Sequence, residues 1–236
     1  MTLTRCLAVL GVVLALLSAT SPTFAQAKSK PVVEIPRAGV PEIMTIEGTF
    51  VRAAYNNEGY AILGYQLANR SVGEEWMLLE VGLTVMDRVP NYTITPKEFS
   101  LTIPGGQTIP LPTIEEYRKG DTRALQNRER VQRDSINYFP PSATRACGIV
   151  FYPDLDQRAM PRDEIELSSS RACLGRLYFK IPGGIKHGQY WLDVKFAKSV
   201  VRVPFRILTE DEEKLLSKNY KDIRKQVQEA FAPKKK

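Results

Sequence analysis

The chain has 236 residues, of which 43% are hydrophobic and 25% are charged. These fractions are those of an ordinary folded domain, so they exclude a wholly disordered, collagen-like or low-complexity chain. The 33 Lys and Arg residues outnumber the 26 Asp and Glu residues, and there is one histidine. Since zinc or copper sites usually need several imidazoles, the count argues against them, and it leaves His187 as the single possible histidine base for a catalytic triad.

The first 27 residues have the layout of a secretory signal peptide. One basic residue, Arg5, precedes an apolar run over residues 7–17, and the small-residue pattern Ala25-Gln26-Ala27 follows. The apolar run is too short to span a bilayer comfortably. We therefore expect cleavage, export to the periplasm or the exterior, and no transmembrane segment in the mature chain. Export also argues against nucleic acid as a partner.

Export changes the expected roles of the three cysteines. Cys6 is lost with the signal peptide, which leaves Cys147 and Cys173 as a single pair in an oxidising compartment. The sequence predicts a disulfide between them. Two unpaired buried thiols are the alternative, because only geometry decides whether two cysteines pair.

The remaining chain divides by composition into four parts. Residues 28–41 are rich in Lys, Pro and Val and predict an extended leader. Residues 42–208 carry the globular domain, residues 209–231 a C-terminal helix, and residues 232–236 a basic tail.

Alternation of apolar and polar residues dominates the globular part. In one strand Met77 and Val85 mark the ends of an apolar face, with Glu80 on the opposite face. The same period recurs around Leu192 and Phe205, where one face is apolar and the other charged. Seven to nine short strands with turn residues between them predict a mainly β chain folded as an antiparallel sandwich.

One strand carries a recognisable pattern. Gly188, Tyr190, Leu192 and Val194 stand in the order G-x-Y-x-φ-x-V, which resembles a strand of exported immunoglobulin-like and fibronectin-type domains. The resemblance implies an immunoglobulin-like sandwich in which Tyr190 is the corner residue that joins the sheets. Neither Cys147 nor Cys173 is at position 192, so the disulfide of antibody domains is absent.

Two segments break the β pattern. Thr113 and Glu116 form a capping-box pattern at the start of a helical insertion over residues 113–136. Its arginines alternate with acidic residues, which favours a solvated, salt-bridged helix over a polyanion site. Thr209 and Glu212 form a second capping box, which begins the amphipathic C-terminal helix.

Candidate contact surfaces follow from these patterns. Trp76 and Trp191 fall opposite the main apolar faces of their strands. The C-terminal helix has an apolar stripe that either packs on its own sandwich or docks a partner, and it consists of Leu216, Tyr220, Ile223 and Val227.

We therefore expect an exported, non-enzymatic protein that acts through contacts with a protein or an envelope component. His187 lies in a glycine-flanked turn and is expected to be exposed rather than catalytic. No cofactor is expected. Two alternatives remain: a carbohydrate-binding module with an aromatic platform, and a carboxylate-based hydrolase or lyase that acts on an envelope polysaccharide.

Overall fold

The computed structural model describes residues 43–153 and 163–231. The predicted signal peptide, the leader over residues 28–41 and the basic tail over residues 232–236 lie outside this part. The described chain is mainly β with antiparallel sheets, as the alternation predicts. None of its helices combines the length and the apolar composition needed to cross a membrane.

Twelve strands form in the described residues, more than the seven to nine predicted. The additional strands are mostly three residues long, which is too short for alternation to be visible in the sequence. In chain order they are β1 (Ile43–Gly48), β2 (Val51–Tyr55), β3 (Gly59–Gly64), β4 (Trp76–Val85), β5 (Tyr92–Ile94), β6 (Phe99–Thr102), β7 (Thr108–Pro110), β8 (Arg145–Ile149), β9 (Ile165–Leu167), β10 (Arg171–Lys180), β11 (Gly188–Lys195) and β12 (Val200–Ile207).

The strands pair in two larger sheets and one small one. The first has the order β1-β2-β3-β4-β10-β8, the second β12-β11-β6-β7, and β5 pairs with β9. One pairing departs from the antiparallel prediction, since β8 runs parallel to β10. Residues 150–170 separate the two strands, and a connection of this length allows the chain to return and enter the sheet in the same direction.

A single large core lies between the two larger sheets. Leu63 and Leu79 from the first sheet and Leu192 and Phe205 from the second belong to one cluster of buried side chains. In β11 and β12 buried residues alternate with exposed or half-buried ones, as predicted. All ten residues of β4 are buried instead, because other segments cover its outer face.

Four α-helices form in the described residues, and two of them begin at the predicted capping boxes, whereas residues 132–136 of the predicted helical insertion are not helical. The helices are α1 (Gln66–Asn69), α2 (Ile114–Lys119), α3 (Arg123–Val131) and α4 (Glu210–Phe231). The Thr113 hydroxyl accepts the Glu116 N–H, and the Glu116 carboxylate accepts the Thr113 N–H. Thr209 and Glu212 make the same reciprocal pair at the start of α4.

The two cysteines lie at disulfide distance, as predicted. Cys147 of β8 and Cys173 of β10 face each other in the parallel register, with their Cα atoms 4.1 Å apart. Cys173 is fully buried in the core, whereas Cys147 is half-buried at the sheet edge. The bridge therefore attaches the outermost strand of the first sheet to the core.

Candidate functional site

Tyr190 of β11 bonds back to the turn that precedes its own strand. Its ring is fully buried, its hydroxyl donates to the Lys186 carbonyl at 2.8 Å, and it accepts the Lys186 N–H at 3.0 Å. A tyrosine that bonds back to the chain a few residues upstream is the arrangement found in immunoglobulin-like corners. The phenol satisfies two backbone groups of the turn that precedes β11, which orients this strand in the second sheet.

A ten-residue stretch without regular structure, residues 132–141, crosses the outer face of the first sheet, and we call it the strap. Ile136, Tyr138 and Phe139 pack on a small apolar cluster that includes Ile62. The Tyr60 hydroxyl donates to the Tyr138 carbonyl at 2.9 Å. The strap covers the sheet from β2 to β4, which explains why β4 is buried on both faces.

Two carboxylates hold the start of the strap. The Asp134 N–H donates to Glu80 Oε2 at 2.6 Å, and the Gln66 N–H donates to Asp134 Oδ2 at 2.8 Å. The glycine at position 64 permits this approach, because a Cβ there would lie 2.6 Å from the Asp134 Cβ. We call Glu80 and Asp134 the carboxylate latch.

Burial shifts both latch groups towards the protonated form. Glu80 is 8% exposed, and burial raises its pKa from 4.5 to about 7, although the hydrogen bond from Asp134 opposes the shift. Burial also raises the pKa of Asp134 from 3.8 to about 6, against the hydrogen bond from Gln66. Perturbed carboxyl groups beside a cleft are candidate functional groups, but structural contacts produce the same shifts.

A second polar group lies next to the latch. Glu129 of α3 is only 2% exposed and forms ion pairs with Arg176 of β10 and with Arg133. One buried carboxylate therefore faces two guanidinium groups. Arg130, on the same helix, forms no ion pair among the described residues.

These groups line an open cleft on the outer face of β4, β10 and β8, beside the strap. Its volume is about 520 Å³. The polar side is formed by Glu80, Asp134, Arg133 and Arg176, and the apolar side includes Ile136, Ile149, Val150 and Leu174. Val150 and Leu174 are 39% and 38% exposed, so the apolar side of the cleft is open to solvent. We call this space the edge cleft.

The edge cleft borders the free side of β8. The Arg145 N–H donates to the Ser170 carbonyl at 2.8 Å, so the backbone of Arg145 faces β10. Because backbone polar groups alternate in direction along a strand, those of Ala146 and Gly148 face away from β10. Within residues 43–153 and 163–231 no strand pairs with that side.

The other edges of the two larger sheets are protected. Strand β1 lies against α4, and the Tyr220 hydroxyl donates to the Ile46 carbonyl at 3.3 Å. Strand β12 contains Pro204, and β7 ends at Pro110. Prolines and covering elements are common ways of blocking an edge. In the described part of the chain, β8 has neither.

The prediction of Trp76 as an exposed contact residue is wrong. Its side chain is 6% exposed and contacts Tyr117 of α2 edge to face, with ring centroids 6.1 Å apart. Gly120 lies directly over the indole, where a Cβ would be 2.3 Å from the ring. The insertion covers the face that strand parity alone leaves open. Trp191 is half-buried on β11.

The apolar stripe of α4 is half-buried. Leu216 packs against the core, and Tyr220, Ile223 and Val227 are neither buried nor fully exposed. Arg224 adds an ion pair to Glu47 of β1 at 2.8 Å. Packing of the stripe on the same chain is therefore the arrangement observed, and a docking role for these residues stays a hypothesis.

The remaining chemistry of the described residues is limited. They contain no group of His, Cys, Asp and Glu side chains suited to a metal ion. His187 is exposed in its turn, as predicted.

Sequence reasoning missed the carboxylate latch. From the sequence alone, Glu80 falls on the polar face of its strand, and Asp134 is one of several charged residues in the insertion. A signal was present, since Glu80 is the only charged residue in a strand of ten residues that is otherwise almost entirely apolar. Such a residue is a candidate buried carboxylate, but its partner depends on contacts 54 positions away in the chain.

Comparisons with protein-family models, with curated proteins and with solved structures found no match for this chain.

Proposed function

We propose that the chain is an exported, immunoglobulin-like β-sandwich protein that acts by binding, and that the edge cleft is its contact surface. One observation carries the proposal: exposed apolar side chains, an arginine rim and the free edge of β8 meet at one place on the first sheet. Binding surfaces combine an apolar floor with a few convergent polar groups in this way. The Tyr190 corner and the paired cysteines support the fold and the exported location, respectively.

A hydrolase acting on an envelope polysaccharide is the second candidate, because the latch places two carboxyl groups with raised pKa beside the edge cleft. In the structure both groups accept backbone N–H groups that hold the strap. This arrangement favours a structural role. A hydrolase would lose cleavage of the polysaccharide when Glu80 is replaced by glutamine, whereas a binding protein has no such activity to lose.

A carbohydrate-binding module receives less support. It requires an exposed aromatic platform, and Trp76 is buried beneath the insertion. Trp191 on β11 is the remaining tryptophan, and it is only half-buried, opposite Pro204 and Thr102 in the second sheet. The apolar surface of the edge cleft is aliphatic, which suits a peptide better than a sugar ring.

Photo-crosslinking in intact cells tests the binding surface. A crosslinking amino acid at position 174 lies in the edge cleft, and the same group at position 200 lies on β12 of the other sheet. Leu174 and Val200 are 38% and 37% exposed, so they are matched in accessibility. We expect one discrete adduct from position 174 and only diffuse background from position 200.

Equal adducts from both positions, or an adduct from position 200 alone, would contradict the assignment of the edge cleft. Mass spectrometry of the adduct then identifies the partner without any assumption about its class. Normal secretion and an unchanged melting temperature serve as controls that each variant is folded.

A further inference from the structure

The free side of β8 has backbone groups that are unpaired within the described residues, and another strand could pair with them. Ala146 and Gly148 each present an outward N–H and C=O, and both residues are exposed. Gly148 has no heavy atom within 4 Å of the position of a Cβ. Neither residue obstructs an approaching backbone. An extended chain can therefore hydrogen-bond to the two N–H and two C=O groups of Ala146 and Gly148.

The rest of the sheet makes β8 a rigid template. Its inward backbone groups pair with β10 over five residues, and the cysteine pair joins the two strands. A strand that is already ordered loses little conformational entropy when a partner adds to it. Strand β8 is thus preorganised for binding.

The side chains around β8 indicate what the added strand carries. Because Ala146 and Gly148 are small, a side chain from the added strand reaches across β8 to Leu174, whose neighbour across the cleft is Ile136. That contact favours an aliphatic residue. Arg145 falls on the opposite side of β8 from Ala146 and Gly148. An acidic side chain of the added strand that points to that side therefore lies near an exposed arginine.

The charges favour an acidic partner. Arg145, exposed at the start of β8, forms no ion pair among the described residues. In the edge cleft Arg133 and Arg176 share the single carboxylate of Glu129. The latch offsets part of this positive charge, because pKa values of about 7 for Glu80 and about 6 for Asp134 leave Glu80 partly protonated and Asp134 mostly ionised at neutral pH. The three arginines still exceed the negative charge of Glu129 and the latch, so the surface beside β8 is weakly positive.

We infer that the free edge of β8 binds an extended acidic segment of a partner protein as an additional strand, with aliphatic side chains of that segment in the edge cleft. The inference rests on the proposed binding function and names its ligand class and its mode of recognition. Backbone hydrogen bonds supply affinity, and the arginines and the apolar floor supply specificity.

The probe for this inference is a synthetic peptide of about eight residues, the length of an ordinary strand, in which Glu and Val alternate. Its matched control has Lys in place of Glu. A second control keeps Glu but carries a methyl group on alternate backbone nitrogens, which prevents pairing with an edge. We expect the affinity of each control peptide for the unmodified protein to be at least about tenfold lower than that of the Glu-Val peptide. Fluorescence anisotropy measures this difference.

On the protein side, Gly148→Pro removes one outward N–H and leaves the pairing of β8 with β10 intact. It should weaken binding of the Glu-Val peptide about tenfold. Gly148→Ala is the matched control, because it keeps the outward N–H and places its methyl group in open space, so it should bind the peptide nearly as the wild type does. The N-methylated peptide tests the same hydrogen bonds without altering the protein, so the result does not depend on the folding of the proline variant.

Equal binding of the Glu-Val, Lys-Val and methylated peptides overturns the inference. A dimer of the chain that disappears in Gly148→Pro also overturns it, because a second copy is then the occupant. Failure of every peptide while position 174 still yields a discrete adduct refutes strand addition and leaves the binding function in place. If no peptide binds and position 174 yields no discrete adduct, the proposed binding function is refuted as well.

Discussion

Replacing Cys147 and Cys173 together with alanine is expected to lower the free energy of unfolding by about 3 kcal/mol. The two residues are separated by 26 positions, so their covalent link removes many conformations from the unfolded chain. The link also joins the edge strand to a fully buried residue of β10. Urea unfolding of the oxidised protein, followed by circular dichroism, gives the difference directly.

Reduction provides the control for the cysteine pair. A thiol reductant should destabilise the wild-type protein by about the same amount and leave the double alanine variant unchanged. If the reductant has no effect and the two proteins unfold at the same urea concentration, the cysteines are unpaired in solution. The rigid template that β8 presents would then lose its covalent support.

Glu80→Gln is expected to raise the free energy of unfolding by about 2 kcal/mol at pH 8 and to change it little at pH 4. The pKa of Glu80 is raised in the folded protein, from 4.5 to about 7. The folded protein therefore holds the proton more tightly than the unfolded chain, and this stabilisation is lost as the pH rises from about 4.5 to about 7. The full shift corresponds to about 3 kcal/mol, and partial contact with solvent reduces it to about 2 kcal/mol.

Glutamine retains the carbonyl oxygen that accepts the Asp134 N–H but never ionises. The remaining slope between pH 4 and pH 6 should come from Asp134, whose pKa is raised to about 6. Glu75→Gln is the matched control, since Glu75 lies exposed beside the start of β4 in an ion pair with Lys180. Parallel stability curves for wild type and Glu80→Gln between pH 4 and pH 8 would show that Glu80 is not buried as described.

The local signals in the sequence predict local structure well. Reciprocal hydrogen bonds at Thr113 and Thr209 start helices at the predicted residues, since a capping box depends on positions three apart. Alternation around Leu192 and Phe205 predicts strands with one buried face, which the structure contains. These features are set by neighbours in the chain.

Features that depend on distant contacts could not be predicted in this way. Strand parity leaves Trp76 exposed, but the insertion folds over it. Alternation does not reveal that β8 joins β10 in parallel, because pairing direction depends on the path of the chain between them. The edge cleft combines residues from β4, β8, β10 and the strap, and no single window of sequence contains them.

For the same reason, the proposed binding surface could not be predicted from the sequence. Arg133 and Arg176 come from the insertion and from β10, and they share Glu129 only after folding. From sequence spacing, Arg133 belongs to a salt-bridged helix. Arg133 also lines the edge cleft, where the proposed function would give it a second role.

Amide hydrogen exchange tests the binding surface most directly. In the presence of the Glu-Val peptide, the exchange of the outward amides of Ala146 and Gly148 should slow at least about tenfold, because they become hydrogen-bonded to the added strand. The Cys147 amide already faces β10 and should change little. Unchanged exchange at Ala146 and Gly148 in a saturated complex would contradict the account, because the peptide would then bind away from the edge of β8.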